Sequence, residues 1–334
     1  MKEDVTIRKH HFMIALLVPL IVILTGAALL GGCSRKQVDV AVPAVEKEET
    51  EHPDANLADI KIGRYTNPEA LISVYELKEK LLEPQTIVID TRGTIMRIYQ
   101  ATYLAGHIPG AVAILYSSLY NQAYPGRIAN PMQLQDILGQ CGVNNKSCII
   151  LYGKASLNTR LYWAIKMYGH DKVRIMDGNL DKWEKAGYDI TNIPVKRARQ
   201  DFTFDLTKAT PELMLATMQE VEPAAGAPDY VIVDARSNHE YAGGHIPGSV
   251  NIPWSELLGA DTAFRPAFQL KQLFQEQGIT PDKNIIVYAN AGIRSTTVWF
   301  VLSELMGYPN VKNYDGSYNE WQKYERRVET GTPE

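Results

Sequence analysis

The stretch that decides the fold runs from Asn284 to Thr296 and reads Asn-Ile-Ile-Val-Tyr-Ala-Asn-Ala-Gly-Ile-Arg-Ser-Thr. Its run Ile285–Val287 is β-branched, which is typical of a strand buried on both faces. A short loop follows Tyr288, and Ser295 and Thr296 are expected to cap the next helix. Such a loop turns several backbone N–H groups inward beside the positive end of the helix dipole. The stretch therefore predicts an anion cradle at the end of a strand.

The unit around this stretch occurs twice in the chain. The segment Gly-His-Ile-Pro-Gly at residues 106–110 recurs at residues 244–248, which is an interval of 138 residues. The same interval separates two further pairs of landmarks, Asp177 from Asp315 and Trp183 from Trp321. Three landmarks in one register over the length of a domain indicate an internal duplication.

Apolar strands alternate with helical segments in both units. The strand-like segments are Thr86–Asp90, Cys148–Tyr152 and Lys172–Met176 in the first unit, and Tyr230–Asp234, Asn284–Tyr288 and Val311–Tyr314 in the second. Signals for helix starts lie between them, among them Ser73-x-x-Glu76 and Asn130-Pro131. This alternation predicts an α/β fold with a parallel sheet covered on both faces, and ligands of such sheets bind beyond the carboxyl ends of the strands.

These motifs resemble those of the rhodanese family of sulfurtransferases. The matching features are Asp-x-Arg after the first apolar strand of each unit, the Gly-His-Ile-Pro-Gly segment, and Asp-Gly-x-x-x-x-Trp near the end of each unit. The resemblance covers residues 60–334. It implies two tandem rhodanese-like domains, each a parallel five-stranded sheet with helices on both faces. The first domain is expected at residues 60–195 and the second at residues 196–334.

The family's active-site loop has six residues and opens with a catalytic cysteine. The resemblance places this loop, which we call the cradle loop, at Ala289, Asn290, Ala291, Gly292, Ile293 and Arg294. Ala289 then stands at the cysteine position, and a methyl group cannot form the thiolate that takes and hands on a sulfur atom. The equivalent position in the first domain is Gly153, where the loop is two residues shorter. We therefore expect no intact catalytic residue in either domain.

Arg294 has the only charged side chain in the cradle loop, and two interpretations of its role are open. Its guanidinium can hold an oxyanion through two parallel hydrogen bonds, or it can pair with a carboxylate at the domain interface. Asn290 likewise either donates a further hydrogen bond to a ligand or is a solvated turn residue. The ligand implied by the first reading is a small sulfur-containing anion or another oxyanion.

Other polar residues recur in both units. Asp234 and Arg236 follow a strand of the second unit and are expected to support the loop, either by binding substrate or as a structural ion pair. The structural reading is favoured because the pair recurs as Asp90-x-Arg92. His245 belongs to a Gly-His-Ile-Pro-Gly turn, where a local hydrogen bond is a better expectation than catalysis.

Residues 1–32 are predicted to be a lipoprotein signal peptide. Arg8 and Lys9 precede an uncharged run of 19 residues, Phe12–Leu30, which is followed by Gly-Gly-Cys. This end resembles a bacterial lipobox, in which Cys33 is lipidated, and the alternative is an uncleaved transmembrane anchor. Both readings predict an exported protein held at a membrane, on the periplasmic side or in the outer membrane. Residues 33–59 are polar and acidic, and they are predicted to be a disordered tether.

The composition is that of a globular protein, with 45% hydrophobic and 22% charged residues. The net charge is −4 and no block of Lys or Arg stands out, so nucleic acid is not expected as a partner. The spacing of His and Cys offers no metal-ligand set, and no cofactor is implied. Cys141 and Cys148 either form a disulfide or are separate thiols, and both are expected too far from the cradle loop to replace the nucleophile.

Three functional hypotheses follow from these features. The first is a non-catalytic binding module in the cell envelope that holds an anion or a protein partner. The second is a thiosulfate-type sulfurtransferase, which requires that Ala289 replaces a native cysteine or that a thiol of the substrate serves. The third is a structural lipoprotein of an envelope complex.

Overall fold

Two parallel five-stranded sheets form the centre of the protein, whose computed structural model describes residues 52–124 and 126–331. The strands of the first sheet, in the order β1-β5-β4-β2-β3, are β1 (Leu71–Ile72), β2 (Thr86–Asp90), β3 (Val112–Ala113), β4 (Cys148–Tyr152) and β5 (Val173–Met176). The strands of the second sheet, in the order β6-β10-β9-β7-β8, are β6 (Leu215–Ala216), β7 (Tyr230–Asp234), β8 (Val250–Asn251), β9 (Asn284–Tyr288) and β10 (Val311–Tyr314).

Helices lie on both faces of each sheet, which confirms the predicted fold class. In the first domain they are α1 (Ala55–Ile62), α2 (Val74–Lys80), α3 (Met96–Ala101), α4 (Pro131–Gln140), α5 (Ala155–Met167) and α6 (Leu180–Lys185). In the second they are α7 (Pro211–Met214), α8 (Met218–Ala224), α9 (Asn238–Ala242), α10 (Ala267–Glu276), α11 (Ser295–Phe300) and α12 (Ser317–Lys323). A π-helical segment, Val301–Leu305, continues α11.

The central strands are apolar throughout because both of their faces are buried. In β9, Ile285 and Val287 belong to a core that extends through both domains, whereas Ile286 and Tyr288 belong to a separate core on the opposite face of the sheet. Alternate side chains of a strand point to opposite faces, so each face receives its own apolar set.

Helices α5 and α11 pack against each other where the two domains meet. The rings of Tyr162 and Phe300 meet edge to face with centroids 4.9 Å apart. Nearby, the hydroxyl of Thr159 lies 3.1 Å from that of Thr296 and 3.2 Å from that of Thr297. Because α11 follows directly after residues 289–294, this packing brings the cradle loop against the first domain.

The predicted tether ends earlier than expected. Residues 55–59 were expected to be disordered, but they belong to helix α1, which is anchored by the buried Ile62 and by an ion pair of 2.6 Å between Lys61 and Asp177. The prediction was wrong there because a helix held by one buried side chain and one ion pair has no apolar periodicity that the sequence could show. The predicted signal peptide, Cys33 and the rest of the tether up to residue 51 lie outside the described residues. Within residues 52–124 and 126–331, no helix has the length and apolar character needed to cross a membrane.

Candidate functional site

The cradle loop lies between β9, the central strand of the second sheet, and α11. It wraps around a hydroxyl group. The Oγ atom of Ser317 accepts hydrogen bonds from the backbone N–H groups of Ala289 at 3.1 Å and Gly292 at 2.8 Å. It donates in turn to the carbonyl oxygen of Tyr314 at 2.7 Å. Sequence reasoning missed Ser317, although its position directly after the repeated Asp315-Gly316 was a usable signal.

Other amides of the loop remain available to a ligand. Among the described residues, none accepts a hydrogen bond from the backbone N–H groups of Asn290, Ala291, Ile293 or Arg294. The predicted cap is wrong, because the chain is already helical at Arg294, which leaves Ser295 and Thr296 inside the helix. Thr296 instead donates its hydroxyl to the carbonyl oxygen of Ile293 at 2.6 Å. The start of α11 therefore has no capping side chain to occupy its amides.

Arg294 is paired with a carboxylate of its own domain, not with one at the domain interface. Its Nη1 and Nη2 atoms donate to the two carboxylate oxygens of Glu240, on α9, each at 2.7 Å. The side-chain amide of Asn290 also donates to Glu240, at 2.9 Å. The guanidinium of Arg294 and the hydrogen bonds from Ser237 hold the pKa of Glu240 well below its usual range. The charge of Arg294 is thus balanced before any ligand arrives.

The first domain braces the cradle loop through one buried arginine. Arg160, on α5, donates from Nη1 to the carbonyl oxygen of Gly292 at 2.6 Å and to Oδ1 of Asp315 at 2.5 Å. The backbone N–H of Ile128 donates to the other oxygen of Asp315, at 3.0 Å. Gly292 has a φ of +63°, and a Cβ atom there would lie 2.6 Å from Asp315 Oδ1. Only glycine fits this position, since any side chain would push the brace apart.

A cavity of about 370 Å³, which we call the loop cavity, opens between the cradle loop and the first domain. The second domain lines it with Ala289, Asn290, Ala291, Ile293 and Arg294. The first domain lines it with Thr94, Ile95, Tyr116, Ser117, Tyr120, Lys154, Ser156 and Leu157. The buried Ala289 presents a methyl group here, and no thiol is among the lining side chains.

Asp234 and Arg236 form a structural ion pair behind the loop. Arg236 donates from Nη2 to Oδ2 of Asp234 at 2.6 Å and to the carbonyl oxygen of Gly244 at 2.7 Å. Its guanidinium also lies 4.0 Å from the ring centroid of Tyr318, next to Ser317. The first domain repeats the pair and the bond to the Gly-His-Ile-Pro-Gly turn. These contacts favour the structural reading, in which the pair ties the end of β7 to that turn and to α12.

The repeated histidine has the local role that its turn motif predicts. His245 Nδ1 donates to the carbonyl oxygen of Tyr241 at 2.9 Å, and the two rings stack with centroids 3.7 Å apart. The first domain has the same arrangement, with His107 stacked on Tyr103. A histidine in these contacts is held as part of the turn and does not reach the loop cavity.

The first domain has no counterpart of the cradle loop. Helix α5 begins at Ala155, so only Gly153 and Lys154 separate it from β4. Gly153 has a φ of +132°, and a Cβ atom there would lie 2.8 Å from the hydroxyl of Thr91 and 2.9 Å from Cγ of Arg92. A cysteine at this position would therefore be strained and crowded.

Neither cysteine within the described residues is suited to act as a nucleophile. Cys141 and Cys148 are both free, so they do not form the disulfide that the sequence left open. Burial raises the pKa of the Cys141 thiol to about 12 and also raises the pKa of Cys148. Cys148 begins β4, at the end of that strand opposite to Lys154 and the loop cavity. Both side chains are thus held as unreactive thiols away from the cavity.

Comparisons with known proteins agree with this architecture. The profile of the rhodanese-like domain matches residues 73–186 and 217–324. The sulfur carrier protein TtuD of Thermus thermophilus is 33% identical over 279 residues, which cover 77% of this chain and 95% of that protein. A protein of Saccharopolyspora erythraea, named "Putative thiosulfate sulfurtransferase", is 35% identical over 237 residues, which cover 66% of this chain and 83% of that protein.

A solved structure has the same fold. The anaerobic ergothioneine biosynthesis enzyme of Chlorobium limicola, in complex with trimethyl histidine, superposes with a TM-score of 0.71 and 24% identity. The superposition covers 81% of this chain and 72% of that one. At this level of identity the likeness shows a shared fold and nothing about a shared substrate.

Proposed function

Because the chain belongs to the rhodanese-like domain family, we propose that Ala289 occupies the position of the catalytic cysteine and that the protein is a non-catalytic binding module. The observation that carries this proposal is the buried methyl group of Ala289 at the head of an otherwise complete cradle loop. Sulfur transfer by this family requires a thiolate that attacks the sulfane sulfur. Ser317 does not substitute for it, since its hydroxyl already makes three hydrogen bonds inside the loop.

What remains of the site is suited to holding an anion without reacting with it. The unoccupied amides of Asn290, Ala291, Ile293 and Arg294 offer hydrogen-bond donors at the start of α11. Lys154 adds a positive charge at the cavity wall. A small sulfur-containing anion, another oxyanion, or an acidic or persulfide group of an envelope protein is the ligand that this chemistry accommodates.

The unmodified full chain, solubilised in detergent, is expected to produce thiocyanate from thiosulfate and cyanide at the rate of the protein-free control. Mass spectrometry after incubation with thiosulfate should find no persulfide on any residue, because no described residue at the loop cavity carries a thiol. Binding without turnover, measured by calorimetry, would support the proposal. Saturable thiocyanate production by the unmodified chain would contradict it.

A second candidate is a thiosulfate-type sulfurtransferase, and the names of the two relatives favour it. In this case a thiol carried by the acceptor attacks the sulfane sulfur while the cradle loop holds the anion, and the protein contributes only electrostatic stabilisation. The same assay separates the two candidates when dithiothreitol replaces cyanide. Release of hydrogen sulfide above the protein-free rate would favour the transferase.

We also propose that the protein is exported and anchored by a lipid on Cys33, where it serves or stabilises an envelope complex. Support comes from the basic residues Arg8 and Lys9, the uncharged run Phe12–Leu30, and the cysteine that follows it. Substituting Cys33→Ser should move most of the protein from the lipid-modified membrane fraction to an unprocessed form that is not labelled by radioactive palmitate. If the Cys33→Ser variant keeps the size and the membrane association of the parent chain, and the parent chain takes up no lipid label, the segment is instead a transmembrane anchor.

A further inference from the structure

We propose that the loop cavity selects an organic monoanion with an apolar body over a small inorganic dianion such as thiosulfate. This inference rests on the proposed function and names the class of ligand that the same site takes. It follows from the distribution of charge and of apolar surface around the cavity.

The cavity offers one positive charge that is not already balanced. Arg294 is held by both oxygens of Glu240, whereas Lys154 forms no ion pair with any residue in the described part of the chain. Asn290, whose amide is a possible donor, is also bonded to Glu240. A dianion in the cavity would give up its hydration for one cation and a few amides, which leaves part of its charge uncompensated. A monoanion is matched by Lys154 alone.

The walls of the cavity are suited to an apolar body. Ile95, Tyr116, Tyr120, Leu157 and Ile293 all line it, and its volume of about 370 Å³ lies within the range found for organic ligands in proteins. An inorganic anion of a few atoms would fill only a small part of this space. The remaining apolar surface would stay wet, so it would contribute nothing to affinity.

Two of the apolar residues that line the cavity are also partly exposed. Ile95 and Tyr120 expose 51% and 38% of their surface. A ligand with a hydrocarbon part can bury this surface, whereas a bare oxyanion cannot.

A matched control site lies elsewhere, where residues of both domains also meet. A second cavity of about 300 Å³ lies where α5 begins, and it is lined by Arg92, Gly153, Lys154, Trp254 and Leu258 among others. It shares Lys154 with the loop cavity but contains no residue of the cradle loop. Substitutions in its apolar wall should therefore leave binding at the loop cavity unchanged.

The test is calorimetric titration of the full chain in detergent with benzenesulfonate, methanesulfonate, sulfate and thiosulfate. Benzenesulfonate is expected to bind at least about tenfold more tightly than sulfate or thiosulfate. Methanesulfonate should bind more weakly than benzenesulfonate and more tightly than the two dianions. Lys154→Gln and Ile95→Ser should each weaken the binding of benzenesulfonate by about tenfold, whereas Leu258→Ser in the control cavity should not. Thiosulfate that binds as tightly as benzenesulfonate, or no binding of any of the four, would overturn the inference.

A fourth variant tests the role of charge directly. Glu240→Gln keeps a side chain that can serve in the capping box of α9 but removes the carboxylate from Arg294. Thiosulfate should then bind about tenfold more tightly, and the preference for benzenesulfonate should shrink or reverse. An unchanged selectivity would show that Arg294 does not decide it. If the unmodified chain turns over thiosulfate but still binds benzenesulfonate more tightly, only the proposed function is refuted. If it binds thiosulfate more tightly and does not turn it over, only this inference is refuted.

Discussion

Substituting Ala289→Cys is expected to turn the second domain into a working sulfurtransferase, with thiocyanate production raised by about 10³-fold or more over the parent chain. The new thiol would lie at the head of the cradle loop, which also holds the amides of Asn290, Ala291 and Ile293 that donate to no acceptor among the described residues. These donors and the helix dipole favour the thiolate and lower its pKa. The thiolate attacks the outer sulfur of thiosulfate, sulfite leaves, and cyanide then removes that sulfur as thiocyanate.

The steady-state rate and the mass of the protein check this expectation together. Incubation with thiosulfate should add one sulfur atom to the Ala289→Cys variant, and cyanide should remove it. The matched control is Gly153→Cys, which should remain inactive because its Cβ atom would meet Thr91 and Arg92 and because the first domain lacks the cradle loop. An Ala289→Cys protein that binds thiosulfate yet acquires no sulfur would show that the loop has lost more than its nucleophile.

Arg160→Met is expected to lower the free energy of unfolding by about 3–5 kcal/mol, which is the cost of leaving a buried carboxylate without its cation. Both Arg160 and Asp315 are almost completely buried, and the arginine also holds the carbonyl oxygen of Gly292. Removing it leaves Asp315 with the backbone N–H of Ile128 as its remaining donor from the first domain. The cradle loop loses its brace at the same time, so ligand affinity should fall along with stability.

Urea denaturation followed by tryptophan fluorescence measures this loss. Adding Asp315→Leu to Arg160→Met should restore a large part of the stability, because the second substitution removes the unpaired charge. Lys61→Met is a suitable comparison. It removes the nearer of two cations from the corresponding Asp177 in the first domain, since Lys182 also lies 3.9 Å from that carboxylate. Lys61 is also partly exposed, so its loss should cost less. A loss below about 1 kcal/mol in Arg160→Met would show that the buried pair adds little to the interface.

The long strands and the duplication could be predicted from the sequence almost residue by residue. The segments Thr86–Asp90, Cys148–Tyr152 and Asn284–Tyr288 have the bounds expected of them, because a strand buried on both faces leaves an unbroken apolar run. Strands of two residues, such as Leu71–Ile72 and Val112–Ala113, are too short to leave any periodic signal. Such short strands form the two edges of each five-stranded sheet.

Most of the contacts that define the site could not be predicted from the sequence. Arg160 meets Gly292 across 132 residues, and no local pattern marks an arginine that will be buried in the other domain. Glu240 belongs to the capping box of α9 with Ser237, and that local motif gives no hint that it also binds Arg294. Long-range polar partners depend on how the domains pack, and hydrophobic periodicity does not encode that packing.

The arginine that reaches from α5 into the second domain also determines how the chain can be divided. A fragment that starts at residue 196 would contain Asp315 but neither Arg160 nor Ile128, and the side of α11 that meets α5 would face water. The first half would lose the backbone N–H of Phe264, which bonds to Asp177. Although the chain carries two similar units, neither is expected to be stable on its own, because each would lose buried polar contacts that the other provides.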